Sequence, residues 1–373
     1  MKIYTEQAGA GILSEATLSA IFDYYKLENK VGGYEAQKKS FDLINSFYEN
    51  TKQLINAESV IQIAYTDSAS RGWNLILQGL PLHNYDKIIT LSTEYVTNIT
   101  TLKELTKDKP QELIIIQCQA NGDFNLSELE DHLKGSKCIV ALSHCVAHGS
   151  VDYPIIKIGQ LCKQYDSYYI LDAAQSIGQI PIDVQKIGCD VLTANGRKWL
   201  SGPRGTGFLY VKDSSKINHT HIDASSTLID ENSKEPITKE SARKFELWER
   251  SFADMIGLSV AIRSYIEKDV YQVHQKSKII ATQIRKSIDS NTKLNLIGQA
   301  DSESCIIGFY PTLISDCDKI AEHFKNNKVS ISLLENWMYP LHFNTPTRIF
   351  RLALPHSVDT PSVDRVIDII NKI

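Results

Sequence analysis

The chain has 373 residues, 40 basic and 44 acidic side chains, and a formal charge of −4, a mild acidity that argues against nucleic acid or an anionic membrane as main partner. Its length suits one large and one small domain with a full core. Seven cysteines, an odd number with no Cys-x-x-Cys, exclude a disulfide scaffold and structural zinc and fit a reducing compartment.

The opening residues lack the apolar core of a signal peptide, and the longest apolar runs are strand-sized, so a cytoplasmic protein without a membrane span is expected. From Val60 to Val211 short apolar runs alternate with helix-length segments. Strands are predicted at 60–64, 88–92, 113–117, 138–143, 168–173, 191–195 and 206–211. Between two of them, residues 154–165 place Ile155, Ile158, Leu161, Cys162 and Tyr165 on one face, as a crossover helix should. This alternation implies an α/β fold with a mainly parallel, seven-stranded sheet in a large domain, residues 1–250. Residues 212–239 are polar and turn-rich and are expected to form an irregular loop over the active site. A long helical stretch from about Phe252 towards Ser290 then leads into a smaller α+β domain, the linking helix and this domain making up residues 251–373. Its strands are predicted at 305–310, 329–333 and 347–354, and its helices near 316–326 and 362–372.

The most informative run is Leu171–Val211. Asp172 ends an apolar strand, Lys198 follows 26 residues later, and a Gly-Pro-Arg-Gly-Thr-Gly turn leads into another strand. A carboxylate at a strand end can cap the next segment, or it can face a ligand beyond the sheet's C-terminal edge. A lysine beside the cation Arg197 is a candidate nucleophile, since a neighbouring positive charge lowers an amine's pKa. Together the pair suits a cofactor with a ring nitrogen, an aldehyde and a phosphate.

At these residues the chain resembles the class V, cysteine desulfurase-like branch of the fold-type I pyridoxal-phosphate enzymes, collinearly from about Tyr4 onwards. The resemblance implies pyridoxal 5'-phosphate as cofactor, Lys198 as its Schiff-base residue and Asp172 on its ring nitrogen. It places Gln175 near the ring hydroxyl and Ser68, Ala69 and Ser70 on the phosphate, where a helix N-terminus forms an anion site. Leu91–Asn98 is similar to the family's Glu-x-x-x-Asn element, which supplies a residue stacked on the ring. Tyr95 is the aromatic candidate, and a strict register points to Val96. His144, in the loop after the fourth strand, corresponds to a position near the ring or else is a structural histidine; three residues on, Ala147 replaces a polar residue and His148 is available. Arg351 corresponds to the residue clamping the substrate carboxylate, with Arg348 as rival. Ser251 corresponds to a phosphate contact supplied by the partner subunit, so a homodimer with a shared site is implied.

Departures from the desulfurase pattern narrow the chemistry. Asn195, Gly196 and Arg197 stand where desulfurases carry Ser-x-His before the lysine, and an arginine keeps the task of holding phosphate. The stretch resembles the subgroup of the ergothioneine-pathway C–S lyase and isopenicillin N epimerase-like proteins. No cysteine follows Cys317, whereas a desulfurase needs one on a late loop; here 333–343 is rich in aromatics, including Trp337 and Tyr339. The expected activity is a C–S β-lyase on an S-substituted cysteine or its sulfoxide. Aminotransfer, epimerisation and a non-catalytic cofactor-binding role are the alternatives. His219 and His221 have no further ligand cluster, so no metal is expected.

Overall fold

The computed structural model describes residues 2–119, 121–335, 338 and 347–373. The large sheet contains β1 (Ile63–Thr66), β2 (Lys87–Leu91), β3 (Glu112–Ile116), β4 (Cys138–Ser143), β5 (Tyr168–Asp172), β6 (Val191–Asn195) and β7 (Gly207–Val211). Their order is β1-β7-β6-β5-β4-β2-β3; β7 runs antiparallel to both neighbours and the other pairings are parallel. This is the expected mainly parallel, seven-stranded α/β sheet.

Side chains alternate across the strands, and both faces are buried. Tyr169 and Leu171 of β5 belong to one core, shared with helices Phe41–Ile55 and Phe252–Ile266. Tyr168 and Ile170 belong to the other, with Trp73 and Ile76 of helix Ala69–Gly79. Strands buried on both faces read as continuous apolar runs, which explains why they are conspicuous in the sequence. Gly159 in helix Ile155–Gln164 closes the packing, because any Cβ there would run into the Ile187 carbonyl.

β1 starts three residues later than the predicted strand at Val60. Ser59 accepts from the Ile61 amide and the Gln62 side chain returns to the Ser59 amide, so this capping box winds 60–62 into a turn. The expected irregular loop at 212–239 contains a hairpin, β8 (Thr227–Ile229) paired with β9 (Pro236–Thr238), and none of its residues lines the pocket described below. The long helical stretch is two helices, Phe252–Ile266 and Val270–Asp289. They break at Asp269, whose φ of 59° is left-handed and whose carboxylate caps the amides of Tyr271 and Gln272.

The smaller sheet contains β10 (Leu294–Ile297), β11 (Ile307–Pro311), β12 (Ser332–Glu335) and β13 (Arg348–Leu352), antiparallel in the order β10-β11-β13-β12. β10 went unpredicted; it follows the helix too closely for a separate apolar run to stand out. Ala281, Ile284, Phe324, Val366 and Ile370 cover this sheet from three helices. The N-terminal segment crosses to it, with Ile3 bridging Val329 and Glu6 bridging Ala353. No helix among the described residues is long and apolar enough to cross a membrane.

Candidate active site

The parallel strands end around one cavity of about 400 Å³, within the size range of cofactor pockets. Asp172 comes from the end of β5, Ser143 from β4, Asn195 from β6, and Thr93 and Tyr95 from the turn after β2. Lys198, Arg197 and Arg204 enter from the turn between β6 and β7. The wall opposite carries Ser68, Ala69 and Ser70 at the start of helix Ala69–Gly79. Convergence beyond the C-terminal edge is where open α/β sheets bind ligands.

The polar groups are held in definite orientations. Asp172 Oδ2 accepts from Asn98 Nδ2 at 2.8 Å and Oδ1 from the Ala174 amide at 2.8 Å. Burial, the largest effect, brings the Lys198 amine down to about 7; Asp172 opposes this, and Arg197 and Arg351 reinforce it. A buried amine near 7 is a usable nucleophile and base at neutral pH. Arg197 donates to the Gly9 carbonyl and, with Arg204, gives the cavity a cationic end.

The turn at Ser68–Ser70 is partly self-satisfied. Ser68 caps the helix by accepting from the Arg71 amide at 3.2 Å, and Asn195 Oδ1 accepts from the Ala69 amide at 2.9 Å. The Ser70 amide carries neither bond. Asn195 therefore orients this loop from β6. Gln175 lines the cavity with both amide ends engaged: Nε2 donates to the Ala8 carbonyl at 3.2 Å and Oε1 accepts from Trp199 Nε1 at 3.3 Å.

Tyr95 is a lining residue and Val96, in the first turn of helix Val96–Thr106, is not. His144 is displaced from its expected place. Ser143 lines the cavity, and the next residue points the other way, as strand alternation requires. His144 instead floors a separate groove with Tyr153, Ile155 and Tyr271. Its Nδ1 has no partner among the described residues, and burial, ahead of the opposing charge of Asp152, lowers its pKa to about 4. Ala147 and His148 do line the cavity.

Ser251 also lies elsewhere, in a shallow pocket with Arg71 and Arg250; its hydroxyl caps its own helix by accepting from the Asp254 amide at 3.1 Å. Asp67 and Gly205 line both pockets. Arg351 is buried, donates from Nη1 to the Ala147 carbonyl at 2.9 Å, and keeps Nε without a partner among the described residues. Burial lowers its pKa to about 10. Arg348 instead pairs with Asp318 at 2.9 Å near the surface. Trp337 and Tyr339 lie outside the described residues; Met338 between them lines the cavity.

Glu94 and Asn98 are the Glu and Asn of the Glu-x-x-x-Asn resemblance, which assigns no role to either side chain. Glu94 is buried beneath Tyr95 and Ser143, and Asn98 spans from it to Asp172. Their four-residue spacing around a helix start was the available signal.

A family model described as aminotransferase class-V matches residues 3–333. The chain belongs to the class-V aminotransferase family. This family depends on pyridoxal phosphate, and the donor set described above fits that group: a carboxylate, a low-pKa lysine, two arginines and a helix N-terminus around a cavity of suitable size. Among curated class-V relatives, a probable cysteine desulfurase of Pyrococcus abyssi is 28% identical over 71% of this chain and 67% of its own length. The cysteine desulfurase IscS of Shewanella denitrificans is 29% identical over 55% of this chain and 50% of its own. The matched stretch thus spans between half and two thirds of these relatives.

Among solved structures, an apo cysteine desulfurase from Thermococcus onnurineus superposes with a TM-score of 0.89, at 19% identity over 100% of this chain and 94% of the other. The cystine C–S lyase C-DES, in complex with its product cysteine persulfide, gives 0.88 at 19% identity over 100% and 98%. These likenesses are likenesses of fold.

Proposed function

We propose that this class-V protein is a C–S β-lyase that cleaves an S-substituted cysteine, or its sulfoxide, to pyruvate, ammonia and a thiol or sulfenic acid. One observation carries the choice of lyase over desulfurase. Cys145 is the one cysteine among the residues lining the cavity, and burial pushes its thiol well above the ordinary range. A persulfide-forming cysteine must be a thiolate, and no cysteine follows Cys317. A lyase needs no protein thiol, because the sulfur leaves with the substrate's own side chain.

When bound, pyridoxal phosphate supplies an electron sink that weakens the bonds at the substrate Cα. Asp172 would keep its ring nitrogen protonated, Tyr95 would supply an aromatic face, and Gln175 would serve the ring hydroxyl. Arg197, Arg204 and the Ser68–Ser70 turn, oriented by Asn195, would hold its phosphate. Arg351, bonded to the carbonyl of the lining residue Ala147, would take the substrate carboxylate. Lys198, neutral above about 7, would hold the cofactor through its aldehyde and, once the substrate amine has displaced it, would be free to act as the base at Cα. The names of the curated relatives, cysteine desulfurases, support cysteine as the substrate class but not the choice of lyase. Ser251 lies away from its own cavity, so a phosphate contact from it requires a second copy of the chain, and we propose a homodimer on that ground.

The test is product analysis with S-substituted cysteines. Pyruvate and ammonia in equal amounts, without any amino acceptor, is the expected result. Keto acid only when an acceptor is supplied means aminotransfer, and alanine with released sulfur from free cysteine means desulfuration; either outcome removes the lyase reading. Size-exclusion chromatography with light scattering tests the dimer.

A further inference from the structure

Two buried carboxylates share one amide. Asn98 donates one side-chain N–H to Glu94 Oε1 at 3.0 Å and the other to Asp172 Oδ2 at 2.8 Å. Glu94, 2% exposed, is itself fixed by the Tyr95 amide at 2.8 Å, the Ser143 amide at 2.7 Å and the Ser143 hydroxyl. The Asn98, Tyr95 and Ser143 N–H groups can only donate, and three such donors favour the carboxylate over the carboxyl. Two like charges placed this close in a dry interior are costly unless a cation beside them gains from both.

We propose that Glu94 is a positioning residue for the cofactor: through Asn98 it fixes Asp172, and its charge raises the proton affinity of the ring nitrogen that Asp172 faces. This rests on the pyridoxal-phosphate reading of the cavity. The groups around the pair are Ser143 from β4, Asp172 from β5, Lys198 across the cavity, and the Tyr153 hydroxyl, which contacts Thr93 and Cys118. Without cofactor, burial first and the Asp172 charge second raise Glu94 to about 7, against its hydrogen bonds. A protonated ring opposite Asp172 adds positive charge and draws Glu94 back to its ionised form. The coupling is reciprocal, so neutralising Glu94 makes the ring nitrogen easier to deprotonate.

The experiment loads wild type, Glu94→Gln and Glu94→Asp with pyridoxal phosphate labelled at the ring nitrogen and follows its NMR shift against pH. Circular dichroism checks that each variant is folded. In Glu94→Gln the deprotonation midpoint is expected to fall by about one pH unit or more, a tenfold loss of proton affinity. Glu94→Asp, which keeps the charge, should stay near wild type. Where the wild-type nitrogen stays protonated throughout, Glu94→Gln must lose its proton within the range where it remains folded, or the proposal fails. An unmoved titration in folded Glu94→Gln overturns it even if the cofactor binds more weakly, since weaker binding is all a structural role would produce. Should Glu94→Gln not fold, Ser143→Ala carries the test: it removes a donor that favours ionised Glu94, so it too must lower the midpoint. A wild type that takes up no cofactor removes the pyridoxal-phosphate reading and the proposal together, whereas unmoved variants beside a loaded wild type remove the proposal alone.

Discussion

Gln7 donates its side-chain amide to the Lys198 carbonyl at 3.1 Å and to Ser201 Oγ at 2.9 Å. A residue near the start of the chain thus pins the turn that carries the reactive amine. The Gly11 amide adds a bond to the Arg197 carbonyl at 2.6 Å. Gln7 is 1% exposed, so Gln7→Ala strands these acceptors away from water. The expected cost is about 1–3 kcal/mol of unfolding free energy in denaturant titrations, with weaker cofactor retention on dialysis. Unchanged stability would mean that the turn is held from elsewhere.

Cofactor uptake should follow the protonation of Lys198. Only the neutral amine attacks an aldehyde, so the loading rate should rise with pH through about 7 and then level off. Stability without cofactor adds a second signature. The Lys198 pKa falls from 10.5 to about 7 on folding, so between these values the unfolded chain binds more protons and stability rises with pH. Glu94 does the reverse, from 4.5 to about 7, so its contribution to stability is lost as pH rises through that range. A shallow minimum near neutrality is expected in thermal melts, and Lys198→Met should abolish the alkaline limb. A limb that survives in Lys198→Met belongs to another group.

Much of the site was legible because it is local in sequence or sits at strand ends. Asp172 and Lys198 end or follow apolar runs, and each lies in the cavity. What stayed hidden depends on distance or on side-chain direction. Asn98 reaches Asp172 across 74 residues, and Gln7 reaches Lys198 across 191. Neither contact leaves a pattern in one sequence, because loop closure imposes no periodicity. Of the two readings of His144, near the ring or structural, its place in a separate groove favours the second: Ser143 ends its strand towards the cavity and the next side chain turns away.

His144→Gln tests that geometry. With the imidazole over a different groove, kcat/KM for pyruvate release should change by less than about tenfold, roughly 1.4 kcal/mol of barrier. A loss in the roughly 10²–10⁴ range typical of acid–base groups would return His144 to the chemistry.

Arg285 has a structural task that can be measured separately. It is fully buried, and its guanidinium donates to the carbonyls of Ala300 at 3.0 Å, Ser302 at 2.9 Å and Ser304. This clasp ties helix Val270–Asp289 to the segment leading into β11. Arg285→Met keeps much of the volume but leaves those carbonyls without donors, so a loss of about 3 kcal/mol or more is expected in chemical denaturation. A loss below about 1 kcal/mol would show that water replaces the guanidinium.

Cys145 decides between the two sulfur chemistries. It lines the cavity beside Ala147, and burial pushes its thiol pKa up, which disfavours the thiolate that a persulfide-forming cysteine needs. Cys145→Ser should therefore keep pyruvate release from an S-substituted cysteine within about tenfold of wild type, roughly 1.4 kcal/mol of barrier. Free cysteine supplied to wild type should leave no trypsin-resolved persulfide on this residue by mass spectrometry. If the substitution abolished turnover and wild type carried the extra sulfur, the thiol would have to ionise during the reaction. The raised pKa makes that costly, because each unit above the working pH reduces the thiolate population tenfold. The observed burial therefore favours a leaving group that departs with its own sulfur.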